Sequence, residues 1–124
     1  MSYQEAKKFI EKVYDIWAKG TIEQLSSVYD VKIEANYFGS PVGFSDIENR
    51  FLYMRKNHSN PRFKLHDLLI DDNKIALRSE YDAITTEGDV VNSETIVILH
   101  LNPKGKVEKI WSMTNKPVDY LAKV

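Results

Sequence analysis

A chain of 124 residues is the size of one domain, and a domain this long buries about two-thirds of the surface its unfolded form exposes. It has no cysteine, which excludes disulfides, thiol nucleophiles and thiolate-bound zinc or iron–sulfur clusters. Its 17 basic and 18 acidic residues leave a net charge of −1, so no electrostatic reason exists to expect nucleic acid or an anionic membrane as partner. No apolar run approaches the roughly 20 residues that span a bilayer. The first helix starts almost at Met1 and is dotted with Lys and Glu, unlike a signal peptide, so the expected location is cytoplasmic.

Ser2 and Glu5 make an S-x-x-E capping box at a helix start. Apolar residues then recur as Ala6, Phe9, Ile10, Val13, Ile16 and Trp17, the spacing of one buried helical face, and Gly20 is placed to stop it. Thr21 and Gln24 open a short second helix carrying Ile22, Leu25, Val28 and Tyr29. Val31 to Gly43 reads as a strand and loop that open a pocket, with Asn36 as its middle polar residue. Ser45 and Glu48 suggest a third helix, with Ile47, Phe51 and Met54 as its stripe, and Pro61 prevents its continuation.

The second half changes period. Arg62 to Ile70, Lys74 to Thr85, Val90 to Leu101 and Lys106 to Asn115 are rich in β-branched and aromatic residues, and Asp, Asn, Gly and Pro turns separate them. Short loops between long strands imply an antiparallel meander. Pro117 to Val124 reads as a short terminal helix or tail. Helices followed by a long sheet give an α+β plan of one domain over 1–124, with the helices covering one sheet face. A bent sheet wrapped over a long helix leaves a conical cavity at its open end.

This order, with certain residues, resembles the nuclear transport factor 2-like superfamily, and within it the SnoaL-like and ketosteroid isomerase-like branch. Gly20-Thr21-Ile22-Glu23 with Val28-Tyr29 carries part of the likeness. Asn36-Tyr37-Phe38-Gly39-Ser40-Pro41 stands where such proteins often read D-P-x-G-x-P, and Gly43 with Ile47 is similar to their helix start. His66-Asp67-Leu68-Leu69, Lys74-Ile75-Ala76-Leu77, and Gly105-Lys106-Val107 running to Trp111 resemble the later strands. The resemblance implies a cone-shaped α+β barrel, N-terminal helices on a strongly bent, mostly antiparallel sheet with an internal cavity.

Steroid isomerases of this fold use a carboxylate base, with a tyrosine and a protonated acid as oxyanion donors. The resemblance puts these positions on Asn36, Val13 and Val97. Tyr14, one helical step of about 100° from Val13, is expected to point elsewhere. The acidic position of the polyketide cyclases falls on Asn115. An amide takes no proton near neutral pH but donates and accepts hydrogen bonds.

His66 and Tyr81 remain as catalytic candidates. Tyr81 alternates with Ile75, Leu77, Ser79 and Ala83 on an inward row, where a core tyrosine bonded to a backbone carbonyl is the competing reading. His66 and Asp67 are neighbours on a strand and so are not expected to form a dyad. His58, among Asn57, Ser59 and Asn60, reads as a solvated loop residue. Asn36, Tyr81, Trp111, Asn115 and Trp17 are the ligand-binding candidates, with core packing the alternative for both tryptophans and turn capping for Asn36. The three histidines do not fall at metal-ligand spacings, and neither metal nor cofactor is expected. Gly39 to Gly43 lacks the G-K-[ST] ending of a phosphate loop, and Ser79 and Ser112 lack a nucleophile elbow.

The leading expectation is a protein that binds a small apolar molecule in the cavity without the steroid-isomerase set. An enzyme acting on an apolar carbonyl compound by acid–base chemistry is the alternative. Ile96, Ile98 and His100 form an outward row that suggests a homodimer through the outer sheet face.

Overall fold

The computed structural model of the chain describes residues 1–116. The expected terminal segment, Pro117 to Val124, lies outside the described residues. α1 (Tyr3–Lys19) begins at the Ser2–Glu5 box, in which both reciprocal bonds form at 3.1 Å. It ends at Gly20, whose N–H donates to the Ile16 carbonyl at 2.8 Å. A Cβ at Gly20 would lie 2.4 Å from Gln24 Oε1 and 2.8 Å from the Ile16 backbone, so close approach rather than backbone freedom requires glycine.

The expected second helix is a 3-10 segment, Ile22–Ser27, and Tyr29 already belongs to a strand. The Ser26 and Ser27 hydroxyls donate to the carbonyls of Glu23 and Gln24, which diverts the chain from an α-helix. The Val28 carbonyl accepts from the Val107 N–H and hands the chain to the sheet.

β1 (Tyr29–Tyr37) and β2 (Ser40–Val42) form a hairpin with Tyr37 opposite Ser40. The two loop residues, Phe38 and Gly39, have φ of 57° and 83°, as the tight two-residue turns that match strand twist require. α2 (Phe44–Asn57) is capped two residues before the expected cap, Ser45. Gly43 is its cap, and Asp46 Oδ2 accepts the Gly43 N–H at 2.8 Å, so Asp46 takes the role assigned to Glu48.

β3 (His58–Asp71) begins four residues before the expected strand and runs through Pro61. It is an edge strand, in the order β2-β1-β6-β5-β4-β3, and the register breaks between Ser59 and Arg62, which is where a proline is tolerated. β4 (Lys74–Thr85), β5 (Val90–Leu101) and β6 (Val107–Thr114) complete the antiparallel meander. β1 returns to pair with β6 in parallel, so the six-stranded sheet is mixed. This is the α+β plan expected from the sequence.

The helices cover one face of the sheet, and the core lies between them. Ile10, Leu25, Ile47, Ile75, Val28 and Val107 are its largest fully buried side chains. The outer face stays apolar in its middle. Ile96 lies opposite Met113 and Ile98 opposite Trp111, and these four side chains are 59%, 65%, 45% and 43% exposed.

Candidate functional site

Between α1 and the inner sheet face lies a partly open cavity of about 110 Å³. Strand alternation and register arrange its sheet wall in four tiers across β4, β5 and β6. Leu99 and Ile110 form the innermost tier, and Ile75, in register with Leu99, is packed in the core beside them; all three are buried. Leu77, Val97 and Ser112 follow, then Ser79, Thr95 and Thr114, and finally Tyr81 beside Ser93. The wall thus passes from aliphatic to hydroxylic along the cone. No aspartate or glutamate lines the cavity among the described residues.

The helical wall comes from Ile10, Val13, Tyr14 and Trp17, the i, i+3, i+4, i+7 stripe of α1. Both Val13 and Tyr14 therefore face the cavity, and the expectation that Tyr14 points elsewhere is corrected. One helical step of about 100° is narrower than the face the cavity covers. The Tyr14 ring stacks on Phe63 with centroids 5.0 Å apart. Its buried hydroxyl has no hydrogen-bond partner among the described residues. Burial raises the Tyr14 pKa, and the Ser79 hydroxyl offsets part of this without completing a hydrogen bond to it.

Tyr81 is buried on the inward row, as its alternation predicts, and contacts Phe63 with centroids 4.9 Å apart. Its hydroxyl bonds a side chain, His58 Nδ1, at 2.8 Å. His58 is thus corrected from a solvated loop residue to the first residue of β3, half-buried and edge-on to Tyr53. The early start of β3 is what brings it there. Burial pushes the Tyr81 pKa up to about 12 against the opposing charge of Arg50.

Trp17 also lines the cavity, and its Nε1 donates to the Tyr29 hydroxyl at 2.9 Å. Burial first of all pushes the Tyr29 pKa upward. Arg50, which the sequence reading did not single out, lies in the cavity wall at 5.6 Å from the Trp17 ring centre and 5.2 Å from that of Tyr37. Its signal was positional: it precedes the buried Phe51 on α2.

The other singled-out residues lie away from the cavity. Asn36 has the opposite parity to the buried Ala35 and Tyr37, and its Oδ1 accepts the Gly39 N–H at 2.8 Å, capping the hairpin. Trp111 is on the outer face, edge-on to His100 at 5.1 Å. Asn115 continues the pairing of β6 with β5, its Oδ1 accepting the Glu94 N–H at 2.9 Å. His66 Nε2 lies 2.8 Å from Glu80 Oε1 on the outer side. A register shift between Leu65 and Asp67 leaves His66 and Asp67 both exposed, and Asp67 accepts from Arg78 instead. Among the sequence candidates, then, the structure gathers Tyr81 and Trp17 at the cavity and leaves Asn36, Trp111, Asn115 and His66 outside it.

No family model matches the chain, and no curated protein matches its sequence. Solved structures do match its shape. AclR from Streptomyces galilaeus superposes with a TM-score of 0.82 at 17% identity, over 99% of this chain and 84% of that one. A SnoaL-like polyketide cyclase from Agrobacterium tumefaciens gives 0.75 at 18%, over 95% and 97%. The chain has the SnoaL-like fold. An NTF2-like protein of unknown function from Exiguobacterium shares it, with a TM-score of 0.74 at 12% identity over 88% and 99%. Identities this low carry the SnoaL-like architecture alone. In that architecture the helix-to-sheet cavity is the concave site, and its chemistry must be read from this chain's own lining.

Proposed function

We propose that the cone cavity binds a small apolar molecule without the steroid-isomerase set, and that the chain pairs as a homodimer through its outer sheet face. The observation that carries the first part is the lining. Aliphatic and aromatic side chains enclose about 110 Å³, and the positions compared with the isomerase donors, Val13 and Val97, are aliphatic cavity residues. A closed apolar cavity of ~150 Å³ holds benzene, so this smaller space takes a single ring by using its open side or by modest side-chain movement. Titration with m-xylene followed by calorimetry tests this. Saturable binding at one site per chain, abolished by Val97→Phe, supports the reading. No saturable binding to a folded protein contradicts it.

One observation favours a second reading, acid–base chemistry on an apolar carbonyl compound. The Tyr81 hydroxyl stands in the cavity with His58 Nδ1 at 2.8 Å behind it, a path for a proton between the cavity and the half-buried imidazole. Deuterium exchange of the α-protons of cyclohexanone, followed by NMR, is its test. Exchange above the buffer rate that is lost in Tyr81→Phe supports it, and exchange at the buffer rate contradicts it.

The dimer reading rests on the exposed Ile96, Ile98, Trp111 and Met113, which register places side by side on β5 and β6. Among the described residues no helix is long and apolar enough to cross a membrane.

A further inference from the structure

The hydroxyls of the inner sheet face give the cavity a hydrogen-bonding side that a purely apolar ligand would leave unused. Ser79 on β4, Thr95 on β5 and Thr114 on β6 stand in one register row, with Ser93 beside Tyr81 on one side and Ser112 beside Val97 on the other. All five line the cavity. Ser79, Ser93 and Ser112 are buried, and Thr95 is half-buried. The Thr114 hydroxyl bonds the Lys116 backbone. Among the described residues the hydroxyls of Ser93, Thr95 and Ser112 make no side-chain hydrogen bond, and that of Ser79 is close enough to the Tyr14 hydroxyl to act on its pKa; none of the four is sealed from the cavity. The sealed orphan is the Tyr14 hydroxyl on the helical wall. Buried hydroxyls are normally paired, with protein or with whatever fills the space beside them.

The opposite wall is built differently. Trp17, Phe63 and the Tyr14 ring offer flat apolar surface, and Leu99 and Ile110 close the innermost tier. An occupant that satisfies both walls has one flat apolar face and several oxygens along one edge. The volume limits it to about a single ring.

Resting on the small-molecule reading above, we infer that the ligand class is a single-ring polyoxygenated compound, such as a dihydroxybenzene or a cyclic diketone, with its oxygens on the Ser79–Thr95 row. The row discriminates by hydrogen bonding: a ligand lacking the oxygens leaves these hydroxyls unpaired, while the same hydroxyls reward a ligand that carries them.

The test compares resorcinol with m-xylene, which places methyl groups where resorcinol has hydroxyls. Both are titrated calorimetrically into the whole chain and into the double variant Ser79→Ala, Thr95→Val, whose fold is checked by circular dichroism. The expected result is binding of resorcinol by the unaltered chain, weakened about tenfold or more in the variant, with m-xylene affinity unchanged or increased. Thr95→Ser, which keeps the hydroxyl, should restore most of the resorcinol affinity in the presence of Ser79. If the unaltered chain binds m-xylene but not resorcinol, or if the double variant binds resorcinol equally well, the inference is overturned while the cavity reading stands. If the unaltered chain binds neither, both fall. Should the double variant fail to fold, the two single variants decide by the same comparison.

Discussion

Tyr14 has a buried hydroxyl whose hydrogen-bonding capacity is unmet among the described residues, next to a cavity that could hold a partner. A buried hydroxyl without a partner costs ~1–3 kcal/mol, so removing it should not harm the empty protein. Tyr14→Phe is expected to leave stability unchanged or raise it by about 1 kcal/mol in urea denaturation. A loss of that size would mean the hydroxyl is bonded in solution. Asn36 behaves in the opposite sense, since its side chain closes the hairpin turn through Gly39. Asn36→Ala should cost roughly 0.5–1.5 kcal/mol of stability and leave ligand affinity untouched. A changed affinity with unchanged stability would return Asn36 to the site. Tyr81 gives a pH signature. Its pKa is raised from 10.0 to about 12, chiefly by burial, so the neutral phenol is favoured in the folded state. Its contribution to stability is present in full below pH 10 and is lost as pH rises from there towards 12. Ultraviolet titration should show a tyrosine ionising in that window that is absent in Tyr81→Phe. At this scale the sequence was a partial guide. Alternation put Tyr81 inward because side-chain parity is strict along a regular strand. It could not reveal His58 as its partner, because that contact depends on β3 starting before Pro61, against the usual reading of proline as a boundary.

At the scale of elements, the capping chemistry at Ser2 and the apolar stripe of α1 were legible because both are local, and the structure keeps them. The direction of Tyr14 follows from the full stripe to which Ile10, Val13 and Trp17 also belong, and not from its one-step offset from Val13. α2 was entered two residues late because two acidic residues, Asp46 and Glu48, compete for the same capping role, and only the geometry of Gly43 decides between them. The hydroxyl tiers were written in the alternation of β4, β5 and β6 as Leu77-x-Ser79-x-Tyr81, Ser93-x-Thr95-x-Val97 and Ile110-x-Ser112-x-Thr114. Their alignment into rows needs the register, which the sequence does not contain. On the outer side of the same strands, Ile96, Ile98, Trp111 and Met113 form a patch flanked by the Arg78 ion pairs to Asp67 and Glu94. If this patch pairs two chains, Ile96→Glu places a charge in the contact and should convert a dimer to a monomer in light scattering at micromolar concentration. A chain already monomeric before substitution would contradict the dimer reading.

For the whole molecule, the order of elements carried the fold, since two helical segments followed by a meander leave few ways to bury one sheet face. The parallel return of β1 onto β6 was not legible, because it joins strands far apart in the chain and no local signal marks it. The same is true of the cavity's size. Whether Tyr14, Trp17, Phe63 and Tyr81 fill the cone or only line it depends on packing, and they leave about 110 Å³. If that space is a binding site with a hydroxylic side, a polyoxygenated ring will sit in it with its oxygens on the Ser79–Thr95 row. A crystal structure of the protein soaked with resorcinol tests this most directly. The expected result is one ring inside the cone, its face towards Trp17 and Phe63 and its oxygens within hydrogen-bond distance of Ser79 or Thr95. Resorcinol found only on the outer surface, with the cone closed by its own side chains, would contradict it.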